Sequence, residues 1–362
     1  MSANTSSKVK TMTITEFLRG LLGDDYNVFA AYKLYQVLKN KWDLLHFFDV
    51  RKGNPNGDPD AGNLPRTDID TGVGLVTDVC IKRKIRDYID LTMDGADGYK
   101  MYIKNDAFLN QKDEAALIAT GLLSEGVKDA KKRTEEIKRK IKEGKANDED
   151  LEKALLDYMQ RTYYDVRTFG AVMTSFTKEG MSCGHARGPV QFTCASSIDP
   201  VTINELSITR VVQANATKPE AQKKNAKAAD DDESAEEKDN TKNGTFGDKF
   251  IIPYALYCME GHISAMLAQR NTGFTEDDFG KLVYALMNMF DEDRSATRGE
   301  MSTKELILFK HDSPYGNAPA WKLYDAVTVT KLTDSEPTGF GDYQITVDEN
   351  KIPDGVTCYR IQ

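Results

Sequence analysis

The chain has 362 residues, 40% of them hydrophobic, and a formal charge of −9, enough for one sizeable core carrying insertions or for two small domains. No stretch approaches the roughly 18 consecutive apolar residues of a membrane span, and MSANTSSKVK has no apolar signal core behind it, so the expected location is the cytoplasm, with no membrane partner. The five scattered cysteines lack C-x-x-C spacing, which suggests neither a disulfide framework nor a zinc knuckle, and neither metal nor cofactor is expected.

In chain order, residues 1–43 predict two short helices, Ile14–Leu22 and Tyr26–Leu38. A strand follows at Leu44–Val50 and stops at the turn-rich GNPNGDPDAGNLP. Thr77 is the expected N-cap of a helix from Asp78 to Leu91, with an apolar face of Ile81, Ile85, Tyr88 and Ile89. Residues 107–162 predict a helical hairpin inserted in the fold, broken at Gly144. Strands are expected at Val166–Met173, Val190–Ala195, Ile208–Val212 and Phe250–Tyr257, the last two forming a projecting hairpin with a polar tip at 214–249. A helix capped by Thr275 and strands at Glu305–Phe309 and Ala326–Leu332 complete an α+β pattern.

The negative charge argues against a polyanionic partner until its distribution is considered. Asp230–Asp239, DDDESAEEKD, holds seven acids and one lysine, a block that normally forms a solvated loop; the remainder is close to neutral. Within that remainder KRKIR places Lys82, Arg83, Lys84 and Arg86 off the apolar stripe of its helix, directly after a glycine-rich loop. Gly53, Gly57 and Gly62 let that loop bring backbone N–H groups close to a phosphate. Loop and ridge together suit a polyanion, or else a merely solvated helix face. Asp58, Asp60, Asp68 and Asp70 do not fit an EF-hand and read as turn formers. No P-loop and no G-x-S-x-G occur, which removes support for nucleotide hydrolysis and for the usual acyl transfer. Arg187-Gly188, Arg298-Gly299 and Lys310-His311 are weaker signals, each a basic residue beside a turn.

The segments FFDVRKGNPNGDPDAGNLPRTDIDTGVGLVTDVCIKRKIRDY, YYDVRTFGAVM, CGHARGPVQFTCASSIDP, SITR, IIPYALY, MFDEDRSATRGEM and LILFKHDSPYGNAPAWKLYDAV resemble, in order, the crRNA-binding backbone subunit of the type I-C CRISPR Cascade. The likeness covers most of residues 44–330 and fades beyond about 335; residues 1–43 lie outside it. The resemblance implies an RRM-like palm within 44–335, helical fingers at about 100–165 and a thumb hairpin at about 208–257. Residues 1–43 are then a helical extension of unassigned role and 336–362 a C-terminal segment. It implies a non-catalytic scaffold that polymerises along CRISPR RNA in antiviral defence and presents the spacer bases to target DNA, so that base pairing reads sequence while protein reads backbone and shape. The implied partners are crRNA, copies of the chain itself, the large and crRNA-processing subunits, target DNA and a recruited helicase-nuclease. RNA contacts are expected first at Lys82, Arg83, Lys84 and Arg86, then at Asn54, Asn56 and Gly57, and finally at Arg187, Gln191, Arg298, Lys310 and His311. The rival reading is a metal-dependent ribonuclease using Asp58 or Asp60, since carboxylates can hold an activating divalent ion.

Overall fold

The computed structural model describes residues 7–30, 36–105, 108–127, 129–143, 148–173, 185–210 and 245–362. Its elements are β1 (Val9–Met12), α1 (Ile14–Leu22), β2 (Trp42–Gly53), β3 (Val73–Val76), α2 (Asp78–Met93), α3 (Leu109–Ala119), α4 (Ala130–Glu143), α5 (Asp148–Thr162), α6 (Tyr164–Phe169), β4 (Val190–Phe192), β5 (Ala195–Pro200), β6 (Asn204–Arg210), β7 (Thr245–Ile263), α7 (Glu276–Glu292), β8 (Glu300–His311), β9 (Val327–Lys331), β10 (Tyr343–Val347) and β11 (Val356–Ile361), with shorter turns and ladders between them. The main sheet runs β1–β11–β8–β2–β7–β5–β3, with β4 and β6 also pairing with β7.

β2 is the centre of this sheet, antiparallel to β7 on one side and to β8 on the other. Its side chains alternate between faces. Trp42, Leu44, Phe48 and Val50 enter the core beneath α1, α2 and α7. Leu45 and Phe47 enter a second core closed by residues of β8, β10 and β11 together with Leu323 and Ile352. Helices over one face of a mostly antiparallel sheet make the α+β class expected from the sequence. Helices α3 and α5 build a separate cluster around Leu117, Leu155 and Met159 with Ile137 of α4, so the stretch is helical as expected but in three helices, with the chain leaving helix after Ala119; the expected break at Gly144 lies outside the described residues. No helix among the described residues is long and apolar enough to cross a membrane.

Helix starts follow local chemistry. Thr77 Oγ1 accepts the Cys80 N–H, and Thr275 forms a reciprocal capping box with Asp278. Three expectations change. The helix predicted over Tyr26–Leu38 is absent from its described residues, 26–30 and 36–38: Leu38 N–H bonds Phe274 O and Tyr26 Oη bonds Asp277, so the chain crosses the start of α7. Val166–Met173 splits: its first half, Val166–Phe169, belongs to the short helix α6, because Tyr164 and Arg167, three apart and hence on one helix side, both reach Asp278, and Gly170–Val172 is a short strand paired with His185–Arg187. The C-terminal segment forms β10 and β11, and β11 sits inside the main sheet between β8 and β1. Residues before 44 also join the body. β1 runs parallel to β11, and Phe17 packs edge-on against Trp42 and Phe279. A Cβ on Gly280 would stand 2.6 Å from Leu22, so glycine there lets α1 close on α7. The expected hairpin is present as the β6–β7 ladder, Asn204↔Ile251 to Arg210↔Thr245; its tip at 214–249 lies outside the described residues up to 244.

Candidate nucleic-acid interface

At the far end of β2 the chain turns through Gly53-Asn54-Pro55-Asn56-Gly57, and backbone packing holds this loop. A Cβ on Gly53 would lie 1.8 Å from Arg298 O, so no other residue fits there, and Gly299, at φ +66°, closes the same contact from the other side. Asn54 N–H bonds Thr297 O, and its buried side chain donates to Asn63 O. Asn56 Oδ1 accepts both the N–H and the hydroxyl of Thr77, which ties the loop to the first turn of α2. Asn54 and Asn56 therefore shape the loop from inside. The acids do likewise: Asp58 caps the next turn and pairs with Arg66, and Asp68 accepts the Asp70 and Thr71 N–H groups.

The four cations of α2 divide. Arg83 is exposed, with only a 3.6 Å pairing to Asp87. Lys82 lies at the surface edge, bonded to Asp78 at 3.0 Å and to Gln191 Oε1 at 3.4 Å. The other two point inward, which corrects the expected four-cation ridge. Lys84 is buried against Asp293, whose other oxygen takes Arg298 at 2.8 Å. Arg86 is buried, donates to Asp165 at 3.0 Å and stacks over Phe169 at 5.2 Å. The physical reason is that α2 is walled by α7 on one side and α6 on the other, so its buried surface is wider than its apolar stripe, and cations in that margin need dedicated carboxylates.

The weaker candidates divide as well. Arg298 and Gln191 join the loop and α2: Arg298 through Asp293, and Gln191 through Lys82 and through amide bonds to Phe169 O and Gly188 O. Arg187 is exposed on a short strand beside Gly188, where any Cβ would strike the Phe169–Gly170 backbone. Lys310 and His311 sit at the opposite end of β2. Twelve strand residues at about 3.3 Å each put them roughly 35 Å from the loop. His311 is fully buried: Nε2 donates to Asp43 at 2.8 Å and Nδ1 accepts the Asn317 N–H at 2.8 Å, so neither nitrogen is left for a ligand. Asp43 also takes His262 and Lys41; burial alone would raise its carboxyl, but these donors hold it well below the usual carboxylate range. Sequence reasoning missed Asp293, Asp165 and Phe169, which orient the cations, and the exposed pair Arg51–Lys52, where Lys52 stands at φ +49°. All of them lie inside the quoted segments, Asp293 in MFDEDRSATRGEM, Asp165 and Phe169 in YYDVRTFGAVM and Arg51–Lys52 in the FFDVRK opening, which was the cue available.

The arrangement offers exposed positive charge at both ends of a tightly packed loop, Arg51 and Lys52 where β2 enters it and Arg83 on the helix that follows it, with Lys82 partly buried against Asp78. Among the described residues no group of three or more His, Cys, Asp or Glu is placed to hold a metal ion. A family model described as CRISPR-associated protein Cas7 matches residues 40–348. A CRISPR-associated protein Cas7 of Haloferax volcanii is 43% identical over 65 residues, and that stretch spans 18% of this chain and 18% of the relative. A chain from a solved CRISPR RNA-guided surveillance complex, pre-nicking, aligns over 74% of this chain and 75% of its own length at 14% identity and TM-score 0.38. Another, from a CRISPR RNA-guided surveillance complex, aligns over 74% and 68% at 13% identity and TM-score 0.33.

Proposed function

This chain belongs to the CRISPR-associated Cas7 family, and from that premise we propose that it is a non-catalytic scaffold that binds crRNA independently of sequence and repeats along it as the backbone of a type I-C Cascade. The observation that carries the reading is the set of exposed cations, Arg51 and Lys52 on one side and Arg83 on the other with Lys82 partly buried next to it, flanking one loop whose shape is held by Gly53, Asn54 and Asn56. Such a surface attracts phosphates whatever the bases, and its affinity falls with salt as counterions return. Arg298, Gln191 and Arg187 extend the track; Lys84 and Arg86 support it from inside.

On this reading residues 44–335 form an RRM-like palm, about 100–165 the fingers and about 208–257 the thumb. Residues 1–43 and 336–362 complete the palm's core and sheet. The partners are crRNA, further copies, the large and crRNA-processing subunits, target DNA and a recruited helicase-nuclease, in the cytoplasm. Metal-dependent cleavage through Asp58 or Asp60 is the weaker reading, because the Asp58 carboxylate already serves Arg66 and the Asp60 N–H and, among the described residues, neither acid belongs to a group of three or more His, Cys, Asp or Glu placed to hold a metal ion. Purification from cells carrying a CRISPR array tests the reading. The expected result is excess absorbance at 260 nm that ribonuclease trims to fragments of regularly increasing length; protein free of RNA under low salt would overturn it.

A further inference from the structure

Strand β9 has one neighbour and one open edge. Among the described residues it pairs with β10 alone, in an unbroken antiparallel ladder from Val327↔Val347 to Lys331↔Tyr343. In such a ladder the backbone groups of every second residue point toward the partner strand. The bonds that frame this one, Leu332 N–H to Asp342 O and Asp348 N–H to Ala326 O, place Thr328 and Thr330 on the β10 side. Arg360 donates to Ile345 O on the far edge of β10, as the same alternation requires. The N–H and C=O groups of Val327, Val329 and Lys331 therefore point away from β10, and no hydrogen bond among the described residues reaches them. The side chains leave that edge open too. Val327 and Val329 face the second core but are half-buried, whereas Tyr343 and Ile345 of β10 are buried in it. Edge strands are usually guarded by charges, a proline or a bulge; Val-Thr-Val-Thr-Lys has only its terminal Lys331.

We propose that the outer edge of β9 is a strand-addition site for an extended segment of a different protein, one with apolar residues at every second position. The unpaired groups repeat about every 6.8 Å, and the ligand whose own N–H and C=O groups match that repeat is a polypeptide in the β conformation. A nucleic acid would find a single cation in the strand, Lys331. Apolar side chains on one face of the added strand continue the layer that Val327 and Val329 leave half-covered. The outward side chains of the ladder, Thr328, Thr330, Gln344 and Thr346, are uncharged and exclude neither sign of charge. β9 and β10 cover the face of the main sheet opposite α2, so RNA along α2 leaves the edge open. The choice of a different protein over a second copy rests on the scaffold reading above: β9 paired with β9 is a closed two-fold contact, whereas copies along one RNA repeat head to tail.

The test uses the full chain without RNA, hydrogen exchange resolved to single amides, and an acetylated peptide GDYQITVD, the sequence of residues 341–348, whose alternation suits β9. In the free protein the Val327, Val329 and Lys331 amides should exchange at close to unstructured rates, and those of Thr328 and Thr330 at least about tenfold more slowly. Saturating peptide should slow the first three by about tenfold or more and leave the two threonines as they were; a peptide of the same composition with Tyr, Ile and Val contiguous should leave all five unchanged. Val329→Pro removes an outward N–H and keeps every bond to β10, so it should fold and lose peptide affinity by about tenfold or more. Val329→Lys, which keeps the backbone N–H and sets a charge in the apolar layer, should lose it as well. Outward amides already slow in the free protein, no slowing at millimolar peptide, or full peptide affinity in both variants would overturn the proposal. Sedimentation of the parent at high concentration supplies the remaining arm: a dimer that Val329→Pro dissociates would make the occupant a second copy and overturn the choice made here. The peptide arms contain no RNA, so their failure leaves the scaffold reading standing, and a chain that binds no RNA leaves the peptide result standing.

Discussion

The two ends of strand β2 carry similar residue types and use them in opposite ways. At the Trp42 end, Asp43 is fully buried and collects Lys41, His262 and His311, while Lys310 lies over the Trp42 ring. The charges gathered on Asp43 face inward and are matched there. At the Gly53 end the strand leaves the sheet with Arg51 and Lys52 exposed, and on α2 Arg83 is exposed with a long 3.6 Å pairing to the equally exposed Asp87. The difference teaches that a basic residue near a turn is informative only once its counter-charge is known. α2 repeats the lesson within one helix, where Lys84 and Arg86 have dedicated carboxylates in the interior and Arg83 has only the exposed Asp87 at 3.6 Å.

The sharpest way to break the comparison is to remove the closed end's hub. Asp43→Ala leaves buried donors without an acceptor and should lower unfolding stability by about 3–5 kcal/mol, read from urea melts, while the RNA affinity of the folded fraction stays put. Affinity lost in parallel would place that end in the binding surface. Next comes the plug beside it. Phe17→Ala should cost about 3 kcal/mol, because Phe17 contacts Trp42, Phe279 and Tyr359. A change under about 1 kcal/mol would mean that α1 is dispensable to the core.

A smaller effect follows from His46, buried between the two ends. Thr303 Oγ1 donates to Leu286 O, so it accepts from His46 Nε2 and leaves the ring neutral, and burial pushes the ring's pKa down to about 3. The unfolded chain binds a proton here near pH 6.5, the folded chain only near 3. The His46 contribution is therefore complete above pH 6.5 and shrinks as pH falls, by about 2 kcal/mol at pH 5. His46→Phe should flatten the stability profile between pH 6.5 and 4.5; an equal slope in both proteins would reassign it.

How much of this was legible varied with range. α1, α2 and α7 were readable because their caps, Thr13, Thr77 and Thr275, and their apolar spacing are local. The glycine-rich loop and the basic helix were readable as a pair because they adjoin in the chain. β1 and β11 were not, since a four-residue edge strand gains its meaning only from a partner at the other end of the sequence. Nor was the direction of Lys84 and Arg86, because Asp293 and Asp165 reach them from other elements. His311 was misplaced for the same reason: its acceptor, Asp43, lies 268 residues away in sequence and meets it only across the β2–β8 ladder.

The central claim, that the open end binds RNA through backbone charge alone, is tested most directly by titrating two unrelated RNAs across a salt series with the parent and with Lys82→Glu/Arg83→Glu. The account predicts equal parental affinity for the two RNAs, an equal loss on both in the variant, and a log–log salt slope smaller by about 0.7 for each phosphate contact removed. A variant that weakens binding to one RNA and spares the other, or that leaves the slope unchanged, would contradict it.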